Sequence, residues 1–230
     1  MKHLSRQEIE EIAHRIVTMY CHLPEHQDRP FYKVDPETMI RKVLGLNIGY
    51  EHLSREGDIL GLTAFEEVGV EVYDDHGRSY LYLLDGSTVL VEKSLKMNRR
   101  QAGRCNFSLM HEGAHQVFHM LYPNAYGDGG TEVTVHPYRR GSERKGPIED
   151  WEEWQANALA AAMLLPASVV EQGMYFFGIP QRIQKLDHLL DPDIFEKFYN
   201  LATFLGVSRQ VLAFRMKRLG FLREDYLDCV

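Results

Sequence analysis

A chain of 230 residues, 44% of them hydrophobic and 26% charged, is long enough to bury a substantial core and too apolar for wholesale disorder. Its formal net charge of −7 argues against a general nucleic-acid partner, and Cys21, Cys105 and Cys229 are too few and too scattered for a disulfide framework. No apolar run approaches the ~18 residues that span a bilayer, and residues 1–11 lack the apolar centre of a signal peptide, so a protein of the cytoplasm with no membrane partner is expected.

The first element in the chain is a helix over residues 5–22, where Ile9, Ile12, Ala13, Ile16, Val17 and Tyr20 recur at i, i+3 and i+4. A loop rich in His, Pro and Asp leads to a short helix near 36–44, which Asp35 caps. Between about 46 and 93 the period changes to that of strands, with runs at 60–64, 68–73, 80–84 and 88–91. Turn residues Asp74-Asp75-His76-Gly77 and Asp85-Gly86 separate them. Asp-Gly accepts the positive φ of a tight turn, so the runs at 80–84 and 88–91 read as a hairpin.

After residue 98 the pattern is helical again. His111-Glu112-Gly113-Ala114-His115 places two imidazoles four residues apart, on one face of a helix, where both can grip a single metal ion. Glu112 points to the side, where its carboxylate could hold a water molecule beside that ion. Ser108 reads as the cap of this helix, and Val117, Phe118, Met120 and Leu121 continue its apolar pattern. Gly113 is a poor helix former, which suggests close approach of another backbone. His119 lies two turns beyond His111, about 12 Å along the axis, out of reach of the same ion and suited to packing.

A polar loop over 122–148 carries His136, Tyr138 and the pair Arg139-Arg140. It reads as surface, with His136 or Tyr138 as candidates to reach a cleft and stabilise an oxyanion. A second strong helix follows Glu149. Ala156, Ala160 and Leu164 share a face with Glu153, whereas Glu152 shares one with Ala156, Leu159 and Met163. Either glutamate could add a carboxylate ligand, since the periodicity does not choose between them. Asn157 and Asp150 are placed to orient a ligand, Asp150 being equally a helix cap. Trp151 and Trp154 read as core aromatics. Further on, Ala202, Gly206 and Leu212 have helix-turn-helix spacing, and Arg209, Arg215, Lys217 and Arg218 are candidate phosphate contacts.

Arg104-Cys105-Asn106-Phe107-Ser108-Leu109-Met110-His111-Glu112-Gly113-Ala114-His115 resembles the Arg-x-x-Phe-[Thr/Ser]-x-x-His-Glu-x-x-His stretch of the ImmA/IrrE family of metallo-endopeptidases. Glu153-Trp154-Gln155-Ala156-Asn157, with Ala160 to Pro166, is similar to that family's Glu-x-x-Ala-Asn…Ala-x-x-Leu-Leu-x-Pro signature. The resemblance extends from about residue 88 to 222, and departs from the family at Gly113 and Leu159, where bulkier residues are usual. It implies Zn2+ held by His111, His115 and Glu153, with Glu152 a neighbour and Glu112 the catalytic base. It also implies a protein substrate, commonly a helix-turn-helix repressor of a mobile element or stress regulon.

The expected fold is therefore α+β: a small antiparallel or mixed sheet packed on a zincin-like helical core, with helix-turn-helix-like helices at the C-terminus. Residues 1–175 would form the metallopeptidase domain and 176–230 a helical segment packed on the same core. The alternative is a DNA-binding or protein-interaction regulator with a structural or vestigial metal site.

Overall fold

The computed structural model describes residues 3–26, 32–123, 135–139, 151–187 and 189–223. Helix α1, Arg6–Cys21, begins in a capping box. The Ser5 hydroxyl accepts from the Glu8 amide, and the Glu8 carboxylate accepts from the Ser5 amide at 2.7 Å. Its buried stripe is Ile9, Ala13, Ile16, Val17 and Tyr20, as the periodicity predicts. Asp35 caps the next helix through the Thr38 amide at 2.9 Å. That helix, α2, is a single turn at Pro36–Thr38 that passes into a π-helical stretch, Met39–Val43.

Among the described residues six strands follow: β1 Asn47–Glu51, β2 Ile59–Ala64, β3 Glu67–Tyr73, β4 Ser79–Asp85, β5 Thr88–Glu92 and, far along the chain, β6 Val135–Arg139. Four of them form a sheet in the order β1-β5-β2-β6, with β1 parallel to β5 and the other pairs antiparallel. The sheet is mixed, and small as expected.

The hairpin predicted across Asp85-Gly86 is not formed. Gly86 does turn the chain at φ +76°, and Asp85 accepts hydrogen bonds from the Ser87 amide and the Thr88 hydroxyl. Yet β4 pairs with β3, through the turn at Asp74–Gly77, and β5 crosses into the central sheet between β1 and β2. Burial explains the divorce. Every residue of β5 is buried, whereas β4 keeps only Leu84 fully inside. A turn residue fixes the reversal of the chain, but the apolar content of a strand chooses its neighbours.

After a short α3, Lys93–Met97, the metal-motif helix α4 runs over Ala102–Leu121 and packs on β2, β5 and β6. Its other side packs on α5, Trp151–Leu164, which in turn rests on α1. Then come α6 Ala167–Phe176, α7 Pro192–Leu205 and α8 Arg209–Arg218. The architecture is α+β, two small sheets against helices. The larger apolar core extends from Leu4 to Leu222, and a second, smaller one gathers Leu62, Val72, Leu84 and Leu90. Among the described residues no single helix is long and apolar enough to cross a membrane; α5 and α6 together have the composition but are bent by 51°.

Three local readings are corrected by the packing. α4 starts at Ala102, so Ser108 lies within it, fully buried, and caps nothing. The crowding at Gly113 comes from a side chain and not a backbone: a Cβ there would stand 2.3 Å from Ile40 Cδ1. A glycine that does meet a backbone is Gly103, whose Cβ would lie 2.6 Å from the carbonyl carbon of Val207. It lets the first turn of α4 touch the turn between α7 and α8, where Asn106 Nδ2 also donates to the Gly206 carbonyl at 2.8 Å.

That turn has the predicted helix-turn-helix features. Ala202 and Leu212 are buried, Gly206 has φ +70°, and the Ser208 hydroxyl caps α8 through the Val211 amide. The basic residues around it are not all available for phosphate. Arg215 is 1% exposed, donating to the Leu165 carbonyl at 2.8 Å and pairing with both carboxylate oxygens of Glu10. Arg218 lies over the Trp154 ring. The sequence pattern showed four cations near a turn, but burial turns Arg215 inward to satisfy the carbonyl at the end of α5.

Candidate metal centre

Helix α4 carries His111 and His115 one turn apart on the face that meets α5, and α5 presents Glu153 to them from its first turn. The His111 and His115 Nε2 atoms lie 3.0 Å apart; Glu153 Oε2 is 3.2 Å from the first and Oε1 3.1 Å from the second. Their ligand atoms all fall within 4.8 Å of one another, a spacing at which one metal ion can be shared. Both histidines are essentially unexposed, and Glu153 keeps an open side, with its side chain 26% exposed. Burial pushes the Glu153 carboxyl up, but the two imidazoles together outweigh it and hold the group well below the usual carboxylate range.

His111 Nδ1 is 3.1 Å from Asn157 Oδ1, one helical turn beyond Glu153, so Nδ1–H donates there and Nε2 is left with its lone pair. That lone pair faces a second imidazole nitrogen and a carboxylate. Two imidazole nitrogens and a carboxylate this close together form a ligand set able to hold a cation. Asn157 thus lies within hydrogen-bond reach of His111. Glu152 sits on the far side of His115, Oε1 3.8 Å from Nδ1, and the Glu152-or-Glu153 alternative is resolved in favour of Glu153 as the member of the cluster.

Glu112 is fully buried, and neither of its carboxylate oxygens has a hydrogen-bond partner among the described residues. Loss of solvation, reinforced by the charge of Glu153, raises its pKa well above the ordinary value. It faces β2, where Gly61 leaves it room. One turn further, the buried Gln116 donates to Thr63 Oγ1 at 2.7 Å and to the Ala64 carbonyl at 2.8 Å, fastening β2 to α4.

Tyr138 is brought to the centre. It is 2% exposed on β6, with its ring 4.1 Å from that of His111 and inclined by 32°. His136 pairs in register with Thr63, and its side chain lies outside the described residues, as does Asp150 altogether. His119 stays away from the ligands and stacks on Phe65, centroids 4.1 Å apart and planes 2° from parallel. Burial lowers its pKa, as suits a packed imidazole. Trp151 departs from the core reading: it is 40% exposed, edge-on to Trp154.

Gly61 and Gln116 escaped the sequence reading. A glycine inside a strand is the one signal that could have drawn attention to β2, because it often marks a close approach. A groove of about 850 Å³ lined by Met174, Tyr175, Phe176 and Phe204 lies among the C-terminal helices and shares no residue with the centre. No protein-family model matches the chain, and no curated protein matches it.

Proposed function

We propose that this protein is a zinc-dependent endopeptidase of the ImmA/IrrE kind. The observation that carries the proposal is the convergence of the His111, His115 and Glu153 ligand atoms beside a buried Glu112 that has no hydrogen-bond partner among the described residues. Zinc bonded at about 2.0–2.1 Å in tetrahedral geometry sets its ligand atoms about 3.3 Å apart, close to the 3.0–3.2 Å found between them. Two imidazoles and one carboxylate also leave a coordination position open, as in catalytic rather than structural sites.

When bound, zinc supplies Lewis acidity, polarising a scissile carbonyl and acidifying an attacking water molecule. Glu112 takes the proton of that water and delivers it to the departing amine nitrogen. Its full burial beside β2 keeps the carboxylate in one place for the task. Asn157 fixes the tautomer of His111. Tyr138, packed on His111, is the candidate to donate a hydrogen bond to the oxyanion. Among the described residues strand β6 ends the sheet order, so an extended peptide laid along it would pair as an added strand beside the centre. The substrate class we favour is a helix-turn-helix repressor, on the strength of the sequence resemblance.

The test uses the purified chain. Wild type should carry about one zinc per chain and cut a mixture of random-sequence peptides, read by mass spectrometry. Glu112→Gln should keep the zinc and cut nothing, because an amide cannot accept the water's proton. A zinc-free, folded wild type would refute the reading, as would unimpaired cleavage by Glu112→Gln.

A further inference from the structure

Gly61 occupies a position where any side chain would collide with the proposed base. A Cβ built on it would lie 2.5 Å from Glu112 Oε1, 2.9 Å from Cγ and 3.0 Å from Cδ. Real Cβ atoms do not approach so closely, and Glu112, with no exposed surface, has nowhere open to retreat.

The neighbouring contacts show how this fit is held. Thr63, two residues along β2, accepts from Gln116, which is four residues along α4 from Glu112. Two strand residues advance about 6.7 Å and four helix residues about 6 Å. The strand and the helix therefore step together, and fastening Thr63 to Gln116 sets Gly61 over Glu112. Across the sheet Gly61 pairs with Tyr138. Paired residues share a face, so the same rung offers a bulky ring to His111 and an empty place to Glu112.

We propose that Gly61 is a positioning residue for Glu112: its missing side chain is the notch in which the carboxylate sits, held in register by the Gln116–Thr63 bond. The chemical consequence rests on the endopeptidase reading, whereas the notch itself can be tested without it. Gly61 does not have positive φ, so alanine suits its backbone and the entropy of the unfolded chain favours the change. Any cost of Gly61→Ala then reports the collision with Glu112.

The experiment is a double-mutant cycle of Gly61→Ala with Glu112→Ala on metal-free protein, read by thermal unfolding, with zinc content and peptide cleavage measured in parallel. Gly61→Ala should lower the midpoint by roughly 5 °C when Glu112 is present. It should leave the midpoint unchanged or raise it when residue 112 is alanine. With zinc restored, Gly61→Ala should hold one ion per chain and lose roughly 100-fold in kcat with KM little changed, the effect of displacing a base by about 1 Å. In a Glu112→Asp chain, whose carboxylate is one methylene shorter, the same substitution should cost much less. An equal fall in midpoint with and without the Glu112 side chain would overturn the proposal. So would a Gly61→Ala enzyme as fast as wild type. A wild type that binds zinc and cuts no peptide would refute the endopeptidase reading instead, leaving the stability cycle to decide the notch.

Discussion

Replacing Arg215 by alanine tests how the C-terminal helices belong to the rest of the chain. The guanidinium is 1% exposed and joins three elements, α8, the end of α5 and α1. Its Nε–H satisfies the Leu165 carbonyl at 2.8 Å, one of the helix-end acceptors with no partner inside its own helix. Stranding that buried carbonyl costs about 1–3 kcal/mol. Truncating a large buried side chain leaves a cavity worth about 2–4 kcal/mol. The Glu10 pair adds less, about 1 kcal/mol at most, because the Glu10 side chain is 43% exposed and water screens it. The total is roughly 3–8 kcal/mol, or a drop in Tm of at least about 6 °C at about 2–4 °C per kcal/mol for a chain of this size.

Urea unfolding at neutral pH is the assay, with Glu10→Ala and Arg215→Met as companions. Glu10→Ala should cost no more than about 1 kcal/mol. Arg215→Met restores most of the buried volume but not the hydrogen bond, and should fall between wild type and Arg215→Ala. A loss within about 1 kcal/mol for Arg215→Ala would refute the reasoning and return Arg215 to the surface, where it could meet phosphate. Loss of salt-dependent DNA binding in that variant, without loss of stability, would point the same way.

The metal centre makes a sharp distinction between adjacent glutamates: Glu153→Gln should surrender zinc to a chelator readily, while Glu152→Gln should retain it to within about tenfold, and the reverse order would show that the wrong carboxylate has been assigned. His52 predicts a pH effect. Its Nδ1 contacts Glu92 Oε1 at 2.8 Å and its Nε2 contacts Asp75 Oδ1 at 3.1 Å; the Glu92 bond is the main cause of a raised pKa, with burial opposing it and Asp75 assisting. The stabilisation is fully present below the unfolded value near 6.5 and is lost as pH rises through the folded one. The advantage of wild type over His52→Gln should therefore shrink between pH 6 and pH 9 in urea titrations, and a constant difference would count against the ion pair.

Particular residues show where a linear reading succeeds. The stripe of α1 and the Asp35 cap are local matters of period and of one side chain reaching the next turn. The i, i+4 spacing of His111 and His115 likewise puts both imidazoles on one face whatever the helix packs against. Glu153 was different. Periodicity left it level with Glu152, the family resemblance preferred it, and the packing of α5 on α4 aimed it. Arg215 is buried and Trp151 exposed for a related reason: amino-acid type sets a preference for water, but the neighbours of a helix face decide what that face meets.

By itself the sequence determined the helices, most of the strands, their turns and the chemical identity of the groups at the centre, because each depends on residues within a few positions of one another. Only the tertiary structure decided that β5 leaves β4 for the middle of the mixed sheet, that Gly61 makes room for Glu112, and that Gly103 admits the turn between α7 and α8. Those outcomes depend on which surfaces exclude water together and on how closely two backbones can approach. Such contacts join residues far apart in the chain, and no spacing along it records them.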